Sequence, residues 1–139
     1  MPTRHASARY EGLGKPGKGF ISSDSGVLDE TRYGFGTRFG DEKGTNPEEL
    51  IAAAHASCFT MALSFALAAK GLSDGTLQTK AAVTLEKDGD GFKVTKSALS
   101  LKGEVPGLSA EDLKATAEDA KANCPISKVL NAEITLTIE

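Results

Sequence analysis

The sequence predicts an α+β domain with mostly antiparallel strands. Three observations carry this. Apolar and polar residues alternate with period two near the N-terminus, through residues 81–101 and again at the C-terminus. A single apolar run, residues 50–69, contains no Asp, Glu, Lys or Arg. The crossover spacing of a strand-helix-strand unit is not repeated along the chain. The 139 residues suit one domain, residues 1–139, able to bury roughly two thirds of its unfolded surface.

Ala6, Ala8 and Tyr10 alternate with Ser7 and Arg9, the pattern of a first strand. The glycine-rich stretch 12–19 then reads as the loop to a second, antiparallel strand carrying Phe20 and Ile21. Residues 24–44 hold five glycines and the run Tyr33-Gly-Phe-Gly-Thr-Arg-Phe-Gly40, a long loop of the kind that tends to carry function. A long helix follows. Asn46 is its N-cap, Pro47 its first residue, and Glu49 stands three residues after the cap. Glu48 and Glu49 complement the positive end of the helix dipole. The helix runs to Ala69 and stops at Gly71. Being apolar on all sides, it needs cover on all sides, and that hints at a dimer.

Beyond it, Ala81, Val83 and Leu85 share one face of a strand, and Asp88-Gly-Asp-Gly91 makes a turn. Phe92 and Val94 then share one parity, Leu99 and Leu101 the other, so a bulge is expected near Ser97. Ser109 caps a helix to about Lys121, and a short helical stretch covers 126–130. Ala132, Ile134, Leu136 and Ile138 form the last strand.

Composition narrows the function. Lys plus Arg is 16 and Asp plus Glu is 19, a net charge of −3, with no Trp. No basic excess exists to neutralise phosphates, and few aromatics exist to stack bases, so no nucleic-acid partner is expected. Eight alanines and the polar His55, Ser57, Thr60 and Ser64 make residues 50–69 a core helix rather than a membrane span. The N-terminus shows no apolar signal segment, and the expected location is cytoplasmic. Two cysteines, Cys58 and Cys124, make no disulfide scaffold, and with His5 and His55 they show no zinc spacing.

Some motifs are set aside. Gly12, Gly14 and Gly17 match a dinucleotide-binding pattern, but a strand follows where a helix N-terminus is needed. His55 lies one turn before Cys58, so a nucleophile pair is one option and a hydrogen-bonded core histidine the other. Cys58 alone reads as an inert buried thiol. Cys124 precedes Pro125 and a short helix, a place that favours thiolate.

The segments together say more. Gly44-Thr-Asn-Pro-Glu-Glu-Leu50, the Ala-Ser-Cys-Phe around Cys58 and the late Asn-Cys-Pro-Ile-Ser-Lys-Val-Leu resemble the OsmC/Ohr family over nearly the whole chain. Ser25-Gly-Val-Leu, Tyr33-Gly-Phe, Thr37-Arg-Phe39 and Ala132-Glu-Ile-Thr-Leu136 look like its OsmC branch. The resemblance implies antiparallel sheets around a long buried central helix, in an intertwined homodimer with shared active sites. It implies a thiol peroxidase of oxidative and osmotic stress defence that prefers organic hydroperoxides to hydrogen peroxide. Cys58 would attack the peroxide and Cys124 would resolve the sulfenic acid as a disulfide. Arg38 and Glu48 would assist. No bound cofactor or metal is implied, and the reductant would be an external dithiol of the lipoyl type.

The residue chemistry agrees with these roles. A guanidinium at Arg38 stabilises a thiolate, and Glu48 orients it through a two-point pair. Phe35, Phe39 and Met61 are the expected walls of an apolar substrate pocket. Cys124 resolves Cys58 if their Cα atoms come within roughly 7 Å. Glu48 and Cys58, ten residues apart on one helix, are roughly 15 Å apart along its axis. An antiparallel partner helix would bring Glu48 of one subunit to Cys58 of the other. The alternatives are a non-catalytic stress or small-ligand-binding dimer on the same scaffold, a structural dimer with inert thiols, and a slow redox sensor.

Overall fold

The computed structural model describes residues 1–139. By its internal contacts the chain divides into two compact units, Met1–Leu50 and Ile51–Glu139.

The first unit is built on a three-stranded antiparallel sheet of β1 (Ala6–Glu11), β2 (Lys18–Ser23) and β3 (Thr31–Tyr33), in that order. The glycine-rich stretch is the β1–β2 hairpin loop, closed by the Gly17 N–H on the Gly14 carbonyl at 3.1 Å. Gly19 pairs with Tyr33 across β2 and β3, and a Cβ at Gly19 would stand 2.4 Å from the Tyr33 ring. Only glycine leaves room for that ring, which meets Tyr10 edge-on at 5.9 Å.

Residues 24–44 are more ordered than the expected loop. They hold β3 and a one-turn helix, α1 (Phe35–Phe39). A three-residue strand is too short to show alternation, and Gly34 and Gly36 argue locally against a helix. The turn is set by Thr37, whose Oγ1 accepts from the Gly34 N–H at 2.8 Å and donates to the Gly34 carbonyl at 3.0 Å. Arg38 therefore stands on a helical turn rather than in a loop.

The long helix, α2 (Pro47–Ala69), begins as the sequence predicts. Asn46 Oδ1 accepts from the Glu49 N–H at 2.8 Å, and Asn46 Nδ2 donates to the Thr37 carbonyl at 3.2 Å, tying α1 to the helix start. Thr45 donates to the Glu49 carboxylate at 2.7 Å. The helix ends at Gly71, whose φ of 88° is the left-handed value that favours glycine there.

The second unit holds the rest of α2, β4 (Thr76–Asp88), β5 (Gly91–Glu104), α3 (Ala110–Asn123), α4 (Pro125–Val129) and β6 (Glu133–Ile138), with sheet order β4-β5-β6. Thr84 pairs with Lys96 but Leu85 pairs with Val94, so Thr95 is the extra residue of a bulge. The bulge switches the apolar face of β5 from Val94 to Leu99 and Leu101, as the parity change predicts. One pairing differs from the antiparallel expectation: β6 runs parallel to β5. Alternation encodes faces but not strand direction, and α3 and α4 supply the crossover. Ser109 Oγ caps α3, accepting from the Asp112 N–H at 3.1 Å.

His55, Phe59, Leu63 and Leu67 recur every four residues and form the buried stripe of α2. Phe59, Leu63 and Leu67 pack with Leu99 and Leu101 of β5, with Leu113, Ala117 and Ala120 of α3, and with Cys124. By length and composition α2 would also cross a membrane, but this stripe is part of a protein core. The rest of the helix is less covered than its apolar composition demands. Met61 and Phe65 are 62% and 71% exposed in the single chain. Shortening a core side chain tests the stripe. Leu63→Ala is expected to cost about 2–5 kcal/mol in urea denaturation, and a loss near zero would remove Leu63 from the core.

Candidate active site

Cys58 lies in the middle of α2, and Cys124 joins the end of α3 to the start of α4. Cys58 is partly buried and Cys124 fully buried, and both are free thiols. Cys58 packs against the buried cluster that contains Cys124. Burial pushes the Cys58 pKa up, and its bond to Cys124 pushes it the same way; the Ile126 N–H opposes both. Burial also works against a thiolate at Cys124. There the hydrogen bonds from Cys58, from the Ser127 N–H and hydroxyl, and from the Ile126 N–H outweigh it, and the pKa falls. Of the two sulfurs, Cys124 is the better seat for the negative charge.

His55 is fully buried. Its Nδ1 lies 2.6 Å from Ser97 Oγ and its Nε2 lies 2.8 Å from Ser127 Oγ. Both ring nitrogens are thus engaged by hydroxyls, so His55 is a hydrogen-bonded core histidine and not a base for Cys58. Burial lowers its pKa. Ser97 and Ser127 escaped the sequence analysis. The available signal was His55 itself: a histidine on a buried stripe needs a partner for each ring nitrogen.

Arg38 and Glu48 meet within the first unit. Arg38 Nε and Nη2 each donate to a Glu48 carboxylate oxygen at 2.8 Å, a two-point pair linking α1 to the first turn of α2. The hydrogen bonds to Glu48 raise the Arg38 pKa further, against a smaller desolvation effect. Beside the pair, a cleft of about 320 Å³ is lined by Tyr10, Lys15, Tyr33, Phe35, Arg38 and Phe39, among others. The Phe35 and Phe39 rings are 5.1 Å apart, and the Lys15 ammonium sits 4.7 Å over Phe35.

Of the expected site residues, Arg38, Glu48, Phe35 and Phe39 gather in the first unit, and Cys58 and Cys124 meet in the second. Met61 joins neither group. It lines a separate groove of about 800 Å³ with Phe65, Leu72, Leu77 and Val105. Two residues from both Phe59 and Leu63, it lies about 200° around the helix from the buried stripe. No three side chains of His, Cys, Asp or Glu gather closely enough to hold a metal ion.

Comparison with known proteins decides the family. Residues 40–139 match the family model described as OsmC-like protein. The chain belongs to this family. It is 51% identical over 133 residues to peroxiredoxin OsmC of Escherichia coli strain K12, covering 96% of this chain and 93% of that protein. It is 37% identical over 128 residues to the organic hydroperoxide resistance protein OhrA of Bacillus subtilis strain 168, covering 91% and 88%. Among solved structures, an organic hydroperoxide resistance protein from Elizabethkingia anophelis superposes with a TM-score of 0.80 at 28% identity, covering 100% of this chain and 96% of that one.

The buried histidine gives a pH prediction. Its folded pKa lies below the ordinary 6.5, so the native state stays neutral where the unfolded chain takes up a proton. Stability is expected to fall as pH drops below 6.5, until the lower folded value is passed. In His55→Gln that part of the loss should disappear, checked by thermal unfolding at neutral and mildly acidic pH. An unchanged pH dependence would contradict the buried neutral imidazole.

Proposed function

We propose that this protein reduces organic hydroperoxides to alcohols, with Cys58 as the attacking thiol and Cys124 as the resolving one. The coarse class follows from the family: a cysteine-based peroxidase of stress defence. The observation that carries the finer reading is the placing of two free thiols, Cys58 and Cys124, in and against one buried cluster. A ligand-binding protein has no use for two thiols placed to close on one another.

In the proposed cycle the Cys58 sulfur attacks the terminal oxygen of the hydroperoxide. An S–O bond forms, the O–O bond breaks, and the thiol proton ends on the departing alkoxide to give the alcohol. Cys58 is then a sulfenic acid. The Cys124 thiolate attacks it, an S–S bond forms, and hydroxide leaves as water with a solvent proton. An external dithiol, of the lipoyl type, returns the disulfide to two thiols by exchange. No prosthetic group takes part.

Cys58 needs a cation to favour its thiolate beside Cys124. Arg38, held by Glu48, is the residue proposed for this and for the peroxide oxygens. Ten residues on one helix separate Glu48 from Cys58, roughly 15 Å of rise. In this reading the Arg38–Glu48 pair serves the cysteines of a second subunit, in a homodimer with two shared sites. The exposed apolar face of α2, with Met61 and Phe65, is the surface a second copy would cover. Phe35 and Phe39 would line the way for an apolar peroxide. The working location is cytoplasmic, with no membrane or nucleic-acid partner.

Steady-state consumption of cumene hydroperoxide with dihydrolipoamide tests the reading. Wild type should turn over, Cys58→Ser should be inactive, and Cys124→Ser should stop after one turnover. Arg38→Ala should lower kcat/KM by about 10²–10³. Absence of wild-type turnover, with both thiols still reduced, would sink the reading.

A further inference from the structure

We propose that Lys15 is a specificity residue: it receives the carboxylate of a hydroperoxide whose apolar chain lies on Phe35 and Phe39 and whose reacting end lies at Arg38. Hydroperoxides with an anionic head are then favoured over neutral ones of the same length. This rests on the peroxidase reading above and narrows its substrate class.

The cleft of the first unit has a cation over each of two aromatic rings. The Lys15 ammonium sits 4.7 Å over the Phe35 ring, and the Arg38 guanidinium carbon stands 5.5 Å over the Phe39 ring. The rings themselves are 5.1 Å apart. The two cations differ in one respect. Arg38 commits Nε and Nη2 to Glu48, so its charge is already balanced, and Nη1 remains to donate. Lys15 is in no ion pair. No Asp or Glu lines the cleft. An ammonium has three donors, and contact with one ring face leaves others to meet an anion. The cleft therefore holds one unbalanced positive charge, at Lys15.

That charge is held in place from both ends. The Gly14 carbonyl, next to Lys15 in the chain, accepts from the Gly17 N–H at 3.1 Å and from the Tyr10 hydroxyl at 2.9 Å. Tyr10 packs so closely on the loop that a Cβ at Gly17 would stand 2.3 Å from its ring. The Phe35 ring engages the far end of the side chain. A cation ordered in advance loses less freedom when an anion arrives. The chain as a whole carries −3, so its overall field repels anions. A preference for an anionic substrate has to come from a local cation, and salt should weaken it.

Linoleic acid hydroperoxide and its methyl ester provide the test. They share the chain and the reacting group and differ in the charge at the far end. kcat/KM is measured for each at neutral pH and low salt, below the concentration at which either aggregates. Dihydrolipoamide is the reductant because it is uncharged, so Lys15 has no carboxylate of the reductant to read. Wild type should favour the acid about two- to fivefold, the scale of one exposed ion pair. Lys15→Met should make acid and ester equal, Lys15→Glu should reverse the preference, and Lys15→Arg should keep it. High salt should shrink the wild-type preference.

Equal kcat/KM for acid and ester in wild type would overturn the proposal and leave the peroxidase reading standing. So would a preference that survives Lys15→Met, including the case where that variant slows on both substrates alike. Turnover of neither substrate by wild type is a different result, and it would remove the peroxidase reading and the role of Lys15 with it.

Discussion

Two neighbouring thiols in a buried cluster cannot both ionise easily, and most of the site follows from what surrounds the two sulfurs. Burial alone would keep both sulfurs neutral. At Cys124 the N–H groups of Ile126 and Ser127 and the Ser127 hydroxyl, at the start of α4, lower the pKa against burial. The Cys124 pKa is thereby lowered, although that sulfur is the more deeply buried one. The Cys58 pKa is raised, by burial first. A site that needs Cys58 as a nucleophile must therefore bring positive charge from elsewhere.

The sequence offers that charge at Arg38. Its guanidinium is already oriented by two 2.8 Å bonds to Glu48, so little order is left to lose when a ligand arrives. Aromatic rings beside it give an apolar peroxide a surface to lie on. The same helix that holds Glu48 in its first turn carries Cys58 nearly three turns later and leaves an apolar face exposed in the single chain. A second copy answers both needs in the proposed arrangement, by covering that face and by exchanging guanidiniums.

Much of this was legible in the residues. The Asn46 cap, Pro47 and Gly71 bounded α2 because capping is local chemistry. The parity change between Val94 and Leu99 announced the bulge at Thr95, since a one-residue insertion must swap faces. Strand direction was not legible: the alternation in residues 132–138 is the same whether β6 runs parallel or antiparallel to β5. The turn of α1 was hidden because a single threonine, Thr37, builds it against two unfavourable glycines. The cysteines, Arg38 and Glu48 stood out through short motifs. Ser97 and Ser127 did not, because a buried hydroxyl gains meaning only from what packs beside it, here a histidine 42 and 72 residues away in sequence.

The shared site is the claim on which the functional account turns, and mixed dimers test it most directly. The slowed Arg38→Ala protein and the inactive Cys58→Ser protein are unfolded together, refolded, and assayed for cumene hydroperoxide consumption with dihydrolipoamide. If Arg38 serves the partner's cysteines, each mixed dimer holds one complete site, built from the Cys58 of one chain and the Arg38 of the other, and activity returns. If Arg38 serves the cysteines of its own chain, every site in the mixture lacks one residue. Activity would then not rise above the residual Arg38→Ala level, contradicting the account.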